Sequence, residues 1–279
     1  MKVAMITGTS SGFGLLASIA LAKEGYHVVS TMRNMHKRFH LKELAAKEKV
    51  MENIDIVKLD VTNHVEVQQV VNDTLQKFGK IDVLINNAGY AQAGFIEELQ
   101  MEDLKKQFET NFFGAVAVTK SVLPSMRERR EGRIINISSI SGQIGMPVLG
   151  PYSASKFALE GFSESLRFEL LPFGIHVVLI EPGSYKTEIW GKGMDGVQLD
   201  STSPYYDLQQ TMLRKVEKIV ERAGNPYEVI ETIVNAVKDP NPKFRYPVGK
   251  SVKTQITFKN LLPWKWVEKN VAKQLKIKK

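Results

Sequence analysis

Short runs of β-branched and aliphatic residues alternate along the chain with longer stretches whose apolar positions recur every three or four residues. The short runs are VAMIT (3–7), HVVST (27–31), IDIVKL (54–59), DVLIN (82–86), RIINIS (133–138) and HVVLIE (176–181), each expected to form a strand. Helices are expected between them over 15–23, 41–50, 65–78, 99–126 and 152–171. The strands are nearly all apolar, as they are when helices cover both faces of a parallel sheet. Such regular alternation predicts an α/β fold: a doubly wound parallel sheet of the Rossmann type, with right-handed crossovers.

No repeat, low-complexity stretch or Pro/Ser-rich linker breaks the rhythm, so one domain is expected over residues 1–250. Two regions depart from it. Residues 184–225 form a long insertion after the sixth strand that carries Trp190, Met194, Tyr205, Tyr206 and Met212, and residues 251–279 form a lysine-rich tail.

Composition narrows the class. A hydrophobic share of 43% with 24% charged residues is that of an ordinary globular protein, and the absence of cysteine removes disulfides, thiolate nucleophiles and cysteine metal sites. The net charge of +8 resides at the C-terminal end, where from Lys250 to Lys279 nine lysines stand against Glu268 alone, so the body is neutral. A nucleic-acid binder more often spreads its positive charge over a folded face, and no nucleic-acid partner is expected. The opening apolar run meets Gly8 too soon for a secretion signal, and no run approaches the roughly 18 residues of a membrane span. A cytoplasmic protein is expected.

The first strand runs into TGTSSGFG, Thr7 to Gly14. Gly8 permits a tight turn, Gly12 lets the backbone approach a pyrophosphate, and Gly14 allows close helix–strand packing. The helix start behind them offers free N–H groups and a positive dipole end. Gly8 to Gly12 also satisfies G-x-S-x-G, the nucleophile elbow of serine hydrolases. Three features oppose that reading. The motif follows the first strand, its third glycine is left unexplained, and the last histidine, His176, lies within an expected buried strand.

Asp60, in Leu59-Asp60-Val61-Thr62, has two readings of equal weight: a helix cap, or a carboxylate reaching the adenine amino group. At the end of the second strand an acid would bind the 2′-hydroxyl of NAD. Here the chain reads Thr31-Met32-Arg33. With no acid in reach and a guanidinium suited to a 2′-phosphate, NADP (NADPH) is expected over NAD. The plainer reading of Arg33 is a surface arginine beside Lys37 and Arg38.

Tyr152 and Lys156 lie four apart at the start of a helix, on one face. A free phenol has a pKa of about 10. One cation ~4 Å away, at an effective dielectric near 20, favours the phenolate by about 4 kcal/mol, enough to bring the phenol near neutral pH. The competing reading is a tyrosine packed under an aliphatic lysine stem.

At this point the chain resembles the short-chain dehydrogenase/reductase family, with its TGxxxGxG loop and YxxxK motif. The likeness spans about residues 2–190 and is carried by TGTSSGFG (7–14), Asp60-Val61-Thr62, Asn86-Asn87-Ala88-Gly89, Asn111, Ser139, Tyr152 with Lys156, and Pro182-Gly183 followed by Thr187. Ser138 and Ser139 are adjacent, and the family's spacing of thirteen residues before the tyrosine selects Ser139. The resemblance implies a catalytic set of Ser139, Tyr152, Lys156 and Asn111. Tyr152 exchanges the proton, and Ser139 steadies the substrate oxygen. Lys156 lowers the tyrosine pKa and holds the nicotinamide ribose, while Asn111 holds a water linking Lys156 to solvent. It implies cofactor contacts from Gly8, Ser10, Ser11, Gly12, Phe13, Gly14, Arg33, Asp60, Val61, Asn87, Ala88, Gly89, Tyr152, Lys156, Pro182, Gly183 and Thr187. Asn86 to Gly89 form the cofactor floor, and Thr187 meets the carboxamide end. The stretches TMRN, NNAGYAQAGFIEE and GPYSASKFALEGFSESLR look most like the hydroxysteroid and retinol dehydrogenase branch.

No metal is expected. His36 and His40 have the spacing of a helical zinc pair, but Lys37 and Arg38 stand between them and no third ligand is evident. Met146, Pro147, Leu149 and the 184–225 insertion should wall an apolar pocket, for a hydrophobic ketone, aldehyde or secondary alcohol. A second function is a redox sensor or regulator that binds NADP(H) without turnover. Family members pair through helices such as 99–126 and 152–171, so a homodimer or homotetramer is expected. In the tail, Trp264, Val267, Val271 and Leu275 share helical spacing, with Lys265, Lys269, Lys273 and Lys276 around them. That stripe points to weak contact with a membrane surface, or to packing of a terminal helix on its own domain.

Overall fold

Seven strands make one wholly parallel sheet: β1 (Lys2–Thr7), β2 (Tyr26–Met32), β3 (Ile54–Lys58), β4 (Val83–Asn86), β5 (Gly132–Ile137), β6 (Ile175–Pro182) and β7 (Arg245–Val248). Their order is β3-β2-β1-β4-β5-β6-β7. The computed structural model describes residues 1–188 and 200–275, so Trp190, Met194 and Lys276 lie outside the described residues.

Ten helices join and follow the strands among the described residues: α1 (Gly12–Lys23), α2 (Arg38–Lys47), α3 (His64–Phe78), α4 (Met101–Phe108), α5 (Gly114–Arg129), α6 (Gly150–Leu170), α7 (Tyr206–Glu221), α8 (Tyr227–Lys238), α9 (Val252–Leu261) and α10 (Trp264–Leu275). Successive strand residues point to opposite faces, and each face is covered. From β1, Ala4 and Ile6 join a core layer with α1, α2 and α8, whereas Val3 and Met5 join a second layer with α3, α5 and α6. This two-sided burial is why the strands read as continuous apolar runs.

Two elements differ from the expected pattern. β7 reads Arg-Tyr-Pro-Val, with no apolar alternation to mark it. It is an edge strand, where a proline costs no central ladder bond. The single helix expected over 99–126 is interrupted by a π turn at Glu109–Phe113, between α4 and α5. Periodicity does not register one wider turn inside a helix, although such turns often accompany functional residues.

The strand order reverses between β1 and β4, which opens a crevice beyond their carboxyl ends. Among the described residues no helix is long and apolar enough to cross a membrane.

The central position of β4 makes the sheet sensitive there. Leu84 is fully buried. We expect Leu84→Ala to lower unfolding free energy by about 2–5 kcal/mol. A urea midpoint unchanged from wild type would contradict this placement.

Candidate active site

The loop after β1 is held against the end of β4. The Asn87 side-chain amide donates to the carbonyls of Thr7 and Gly8, both at 2.9 Å, and the Thr7 hydroxyl accepts from the backbone N–H groups of Asn87 and Ala88, both at 3.0 Å. Gly8 has φ +71, and a Cβ there would stand 2.7 Å from the Ala88 Cα. Gly14 is needed for the same contact. A Cβ on it would meet the Asn87 amide at 2.4 Å and the Gly8 carbonyl at 2.5 Å, so it serves the loop junction more than helix–strand packing. Thr7 and Thr9 are buried members of this knot, and Thr9 binds the Thr31 carbonyl through both its N–H and its hydroxyl.

The loop delivers the start of α1 without a cap. Ser11 is the residue before the helix, its side chain caps no N–H, and no acid stands in the first turn. The helix end therefore presents uncovered donors and an unopposed dipole, which is what a pyrophosphate requires. These residues fit a dinucleotide. A cleft of about 670 Å³ abuts the loop, lined by Gly12, Leu15, Leu16, Tyr185, Thr187 and Val220 among others. Phe13 packs edge-on against Tyr185, with ring centroids 5.9 Å apart.

Several expected contacts find different partners. Asp60 does not cap α3. Asn63 does, accepting from the Glu66 N–H at 3.1 Å, while Asp60 Oδ1 closes a turn by accepting from the N–H and hydroxyl of Thr62. Asn86 turns its side chain into the body, donating to Thr119 and Asn136. Val61 packs on Gly114, and Gly183 faces Val252 of α9, with 2.8 Å left for a Cβ. Thr187 lies against Gly12, at the pyrophosphate loop. Pro182 ends β6 and is buried. Arg33 follows β2, is exposed, and makes no hydrogen bond among the described residues; its charge reaches Tyr90. His36 sits in a 3-10 turn and His40 in α2.

The expected catalytic residues converge where β5 ends and α6 begins. The chain is extended there, so successive side chains diverge. Ser139 faces Tyr152, whereas Ser138 lies beside Glu160. Lys156 Nζ stands 5.8 Å from the Tyr152 ring centroid and donates to the Ile137 carbonyl at 2.7 Å. Tyr152 is 8% exposed and Lys156 5%. Burial lowers the lysine pKa to about 8, with the Glu160 charge opposing that shift. Burial pushes the Tyr152 phenol up, and its hydrogen bond with Ser139 only partly offsets this. The reading that a nearby cation alone brings the phenol to neutral pH is corrected. With both groups out of water, desolvation of the phenolate outweighs the attraction.

Asn111, in the π turn, is buried and holds the neighbouring loop. Its amide donates to the Tyr90 carbonyl at 2.9 Å and to Ser155 Oγ at 3.2 Å, and its carbonyl oxygen accepts from Tyr90 N–H at 3.0 Å. Ser155 in turn donates to the Tyr152 carbonyl, so Asn111 ties the β4 loop to the first turn of α6. Both amide hydrogens are thereby engaged.

Behind Lys156 and Ser138 lies a group that sequence reading missed. Glu160 and Glu181 are both buried around Arg245, whose Nε is 3.2 Å from one carboxylate and 3.3 Å from the other. Gln143 donates to both. Burial and the neighbouring Glu160 charge push Glu181 up to about 7, against the pull of Arg245. Glu160 falls four residues after Lys156, which was a legible signal. Arg245 was not, because it sits on the unmarked β7.

A buried cation and phenol beside a glycine-loop nucleotide crevice define a dehydrogenase-type oxidoreductase fold. The family described as short chain dehydrogenase matches residues 2–197, and the chain belongs to it. An uncharacterized oxidoreductase of Bacillus subtilis, YusZ, is 47% identical, covering 98% of each chain. The 3-ketodihydrosphingosine reductase of Bacteroides thetaiotaomicron is 38% identical over 94% of this chain and 93% of its own. Human retinol dehydrogenase 8 is 40% identical over 88% and 80%. Among solved structures, a short-chain dehydrogenase from Streptomyces avermitilis superposes with TM-score 0.81 at 32% identity, over 99% and 96%. ElxO with NADP bound gives 0.76 at 29%, over 91% and 99%. A Burkholderia phymatum protein in complex with NAD gives 0.80 at 24%, over 93% and 92%. Kinship alone therefore does not choose between the two nucleotides.

The raised Glu181 carboxyl has a consequence for stability. The folded protein keeps a proton that the unfolded chain releases above 4.5, so this stabilisation is complete below that pH and is lost as pH rises through about 7. Glu181→Gln should flatten the decline in stability between those values and gain on the order of 2 kcal/mol at pH 8. Parallel pH–stability curves for wild type and variant would refute the shared-proton arrangement.

Proposed function

We propose that this protein reduces the carbonyl of a long-chain, apolar substrate, using NADPH and Tyr152 as the proton donor. The observation that carries this reading is the buried Tyr152 phenol, kept protonated with Ser139 and Lys156 beside it. A protonated phenol beside Ser139 can give its proton to a carbonyl oxygen, the step that reduction needs. The bound nicotinamide would supply the hydride to the carbonyl carbon. Tyr152 gives its proton to the carbonyl oxygen, and the Ser139 hydroxyl donates to that oxygen as charge develops. Lys156, fixed on the Ile137 carbonyl, holds positive charge next to the tyrosine left deprotonated.

Arg33 supports NADPH, since its guanidinium is exposed and uncommitted at the end of β2, where no acid stands. The substrate class is supported by the relatives' names, which include a ketosphingoid reductase and a retinol dehydrogenase. It is supported also by apolar residues near the site: Met146 is exposed, and Tyr205 stacks on Phe95 at 4.4 Å. A non-catalytic NADP(H) sensor is the second reading. The full set of Ser139, Tyr152 and Lys156, with the serine hydrogen-bonded to the phenol, speaks against it.

NADPH oxidation measured against 3-ketodihydrosphingosine, retinal and short-chain ketones tests the proposal; no turnover with any apolar carbonyl would defeat it. Tyr152→Phe should cut turnover about 10²- to 10⁴-fold while NADPH binding by fluorescence titration stays near wild type. Equal damage to both would remove the proton-donor role. Arg33→Ala should weaken NADPH about 10- to 100-fold and leave NADH nearly unchanged. Equal losses for the two cofactors would overturn the NADPH preference.

A further inference from the structure

Three of the four residues in the stripe that helical spacing suggested turn toward the body. Val267 and Val271 are half-buried and Leu275 is 7% exposed, with α10 packed against α7, so these residues serve the protein's own body. Trp264, the fourth member, stays outside together with a further set. At the turn between α9 and α10, Phe258 is 57% exposed, Leu261 75%, Leu262 42%, Trp264 64% and Trp266 65%. Five large apolar side chains within nine residues, all facing water, are unusual for a surface with no partner.

Their surroundings select the partner. Lys253, Lys265, Lys269 and Lys273 are exposed around them, and Lys259 lies over the Phe157 ring at 5.8 Å. The one acid in the tail, Glu268, accepts a hydrogen bond from the Trp264 indole at 3.1 Å. A second copy of this chain would bring two such lysine sets together, and like charges repel. An anionic bilayer offers the complement: phosphate oxygens for the ammonium groups, acyl chains for the leucines and phenylalanine, and an interfacial zone where indole rings settle.

We propose that the α9–α10 corner docks this protein on an anionic lipid surface, with Phe258, Leu261, Leu262, Trp264 and Trp266 inserted and the neighbouring lysines on the headgroups. Through α10 the corner bears on α7, whose leading segment is clasped to the loop after β4. Tyr205 stacks on Phe95 there, and Gln209 donates to Glu98 at 3.0 Å. Through Lys259 and Phe157 it also touches α6, next to Lys156. Docking would thus place the lipid surface next to elements that adjoin the site. The inference does not depend on turnover, because it concerns binding of the whole chain to membrane.

Flotation of the full-length protein with phosphatidylcholine vesicles, with and without phosphatidylglycerol, is the test. Partitioning onto the anionic vesicles should be at least ~10-fold stronger, and should weaken as salt is raised. Trp264→Ser combined with Trp266→Ser should lower it ~10-fold or more, with NADPH binding kept as the check on folding. Brominated lipid should quench tryptophan emission in the wild-type protein, a readout that needs no variant. Equal partitioning onto neutral and anionic vesicles, or no quenching, would overturn the proposal. So would self-association in lipid-free buffer that the same two substitutions abolish.

Discussion

An ammonium group held out of water organises this site. Lys156 is tethered by the last carbonyl of β5, so its position is set by a strand of the central sheet and not by a loop. Burial destabilises its charge, and the compensation is spatially arranged: the Ile137 carbonyl at the tip and Glu160 one turn behind on the same helix. The same exclusion of water keeps the proton on Tyr152. Lysine and tyrosine are thus both shifted by desolvation, in the directions that bring a readily discharged cation next to a protonated phenol.

Around that pair the fold supplies two supports, one on each side. In front, Asn111 binds the β4 loop to the first turn of α6, using a helix turn widened by one residue. Behind, Arg245 from the edge strand reaches across to Glu160 and Glu181, so that the far end of the sheet is electrostatically joined to α6. Both restrict how α6 can move, and catalytic geometry tolerates little movement.

The same logic separates the tail from the domain it closes. Its internal apolar stripe is consumed in packing, and its unpaired aromatic residues gather at a single corner among lysines. A hydrophobic patch ringed by an excess of one sign of charge is informative because both components ask for the same partner, whereas either alone has commonplace explanations.

Much of this was legible in one dimension. Six of the strands announce themselves because two-sided burial demands continuous apolar residues, and the glycine loop and Tyr152–Lys156 spacing are local patterns that need no third dimension. β7 was hidden because an edge strand can tolerate proline and arginine. The direction of the Tyr152 shift was hidden because residue spacing reports proximity but not the loss of water, and only packing decides which is stronger. The tail shows the same limit. Helical spacing identified its apolar stripe, but whether that stripe met the body or the surroundings depended on what α7 offered to cover it. Local pattern sets which groups can be neighbours; burial, which belongs to the assembled whole, sets what those neighbours do to each other.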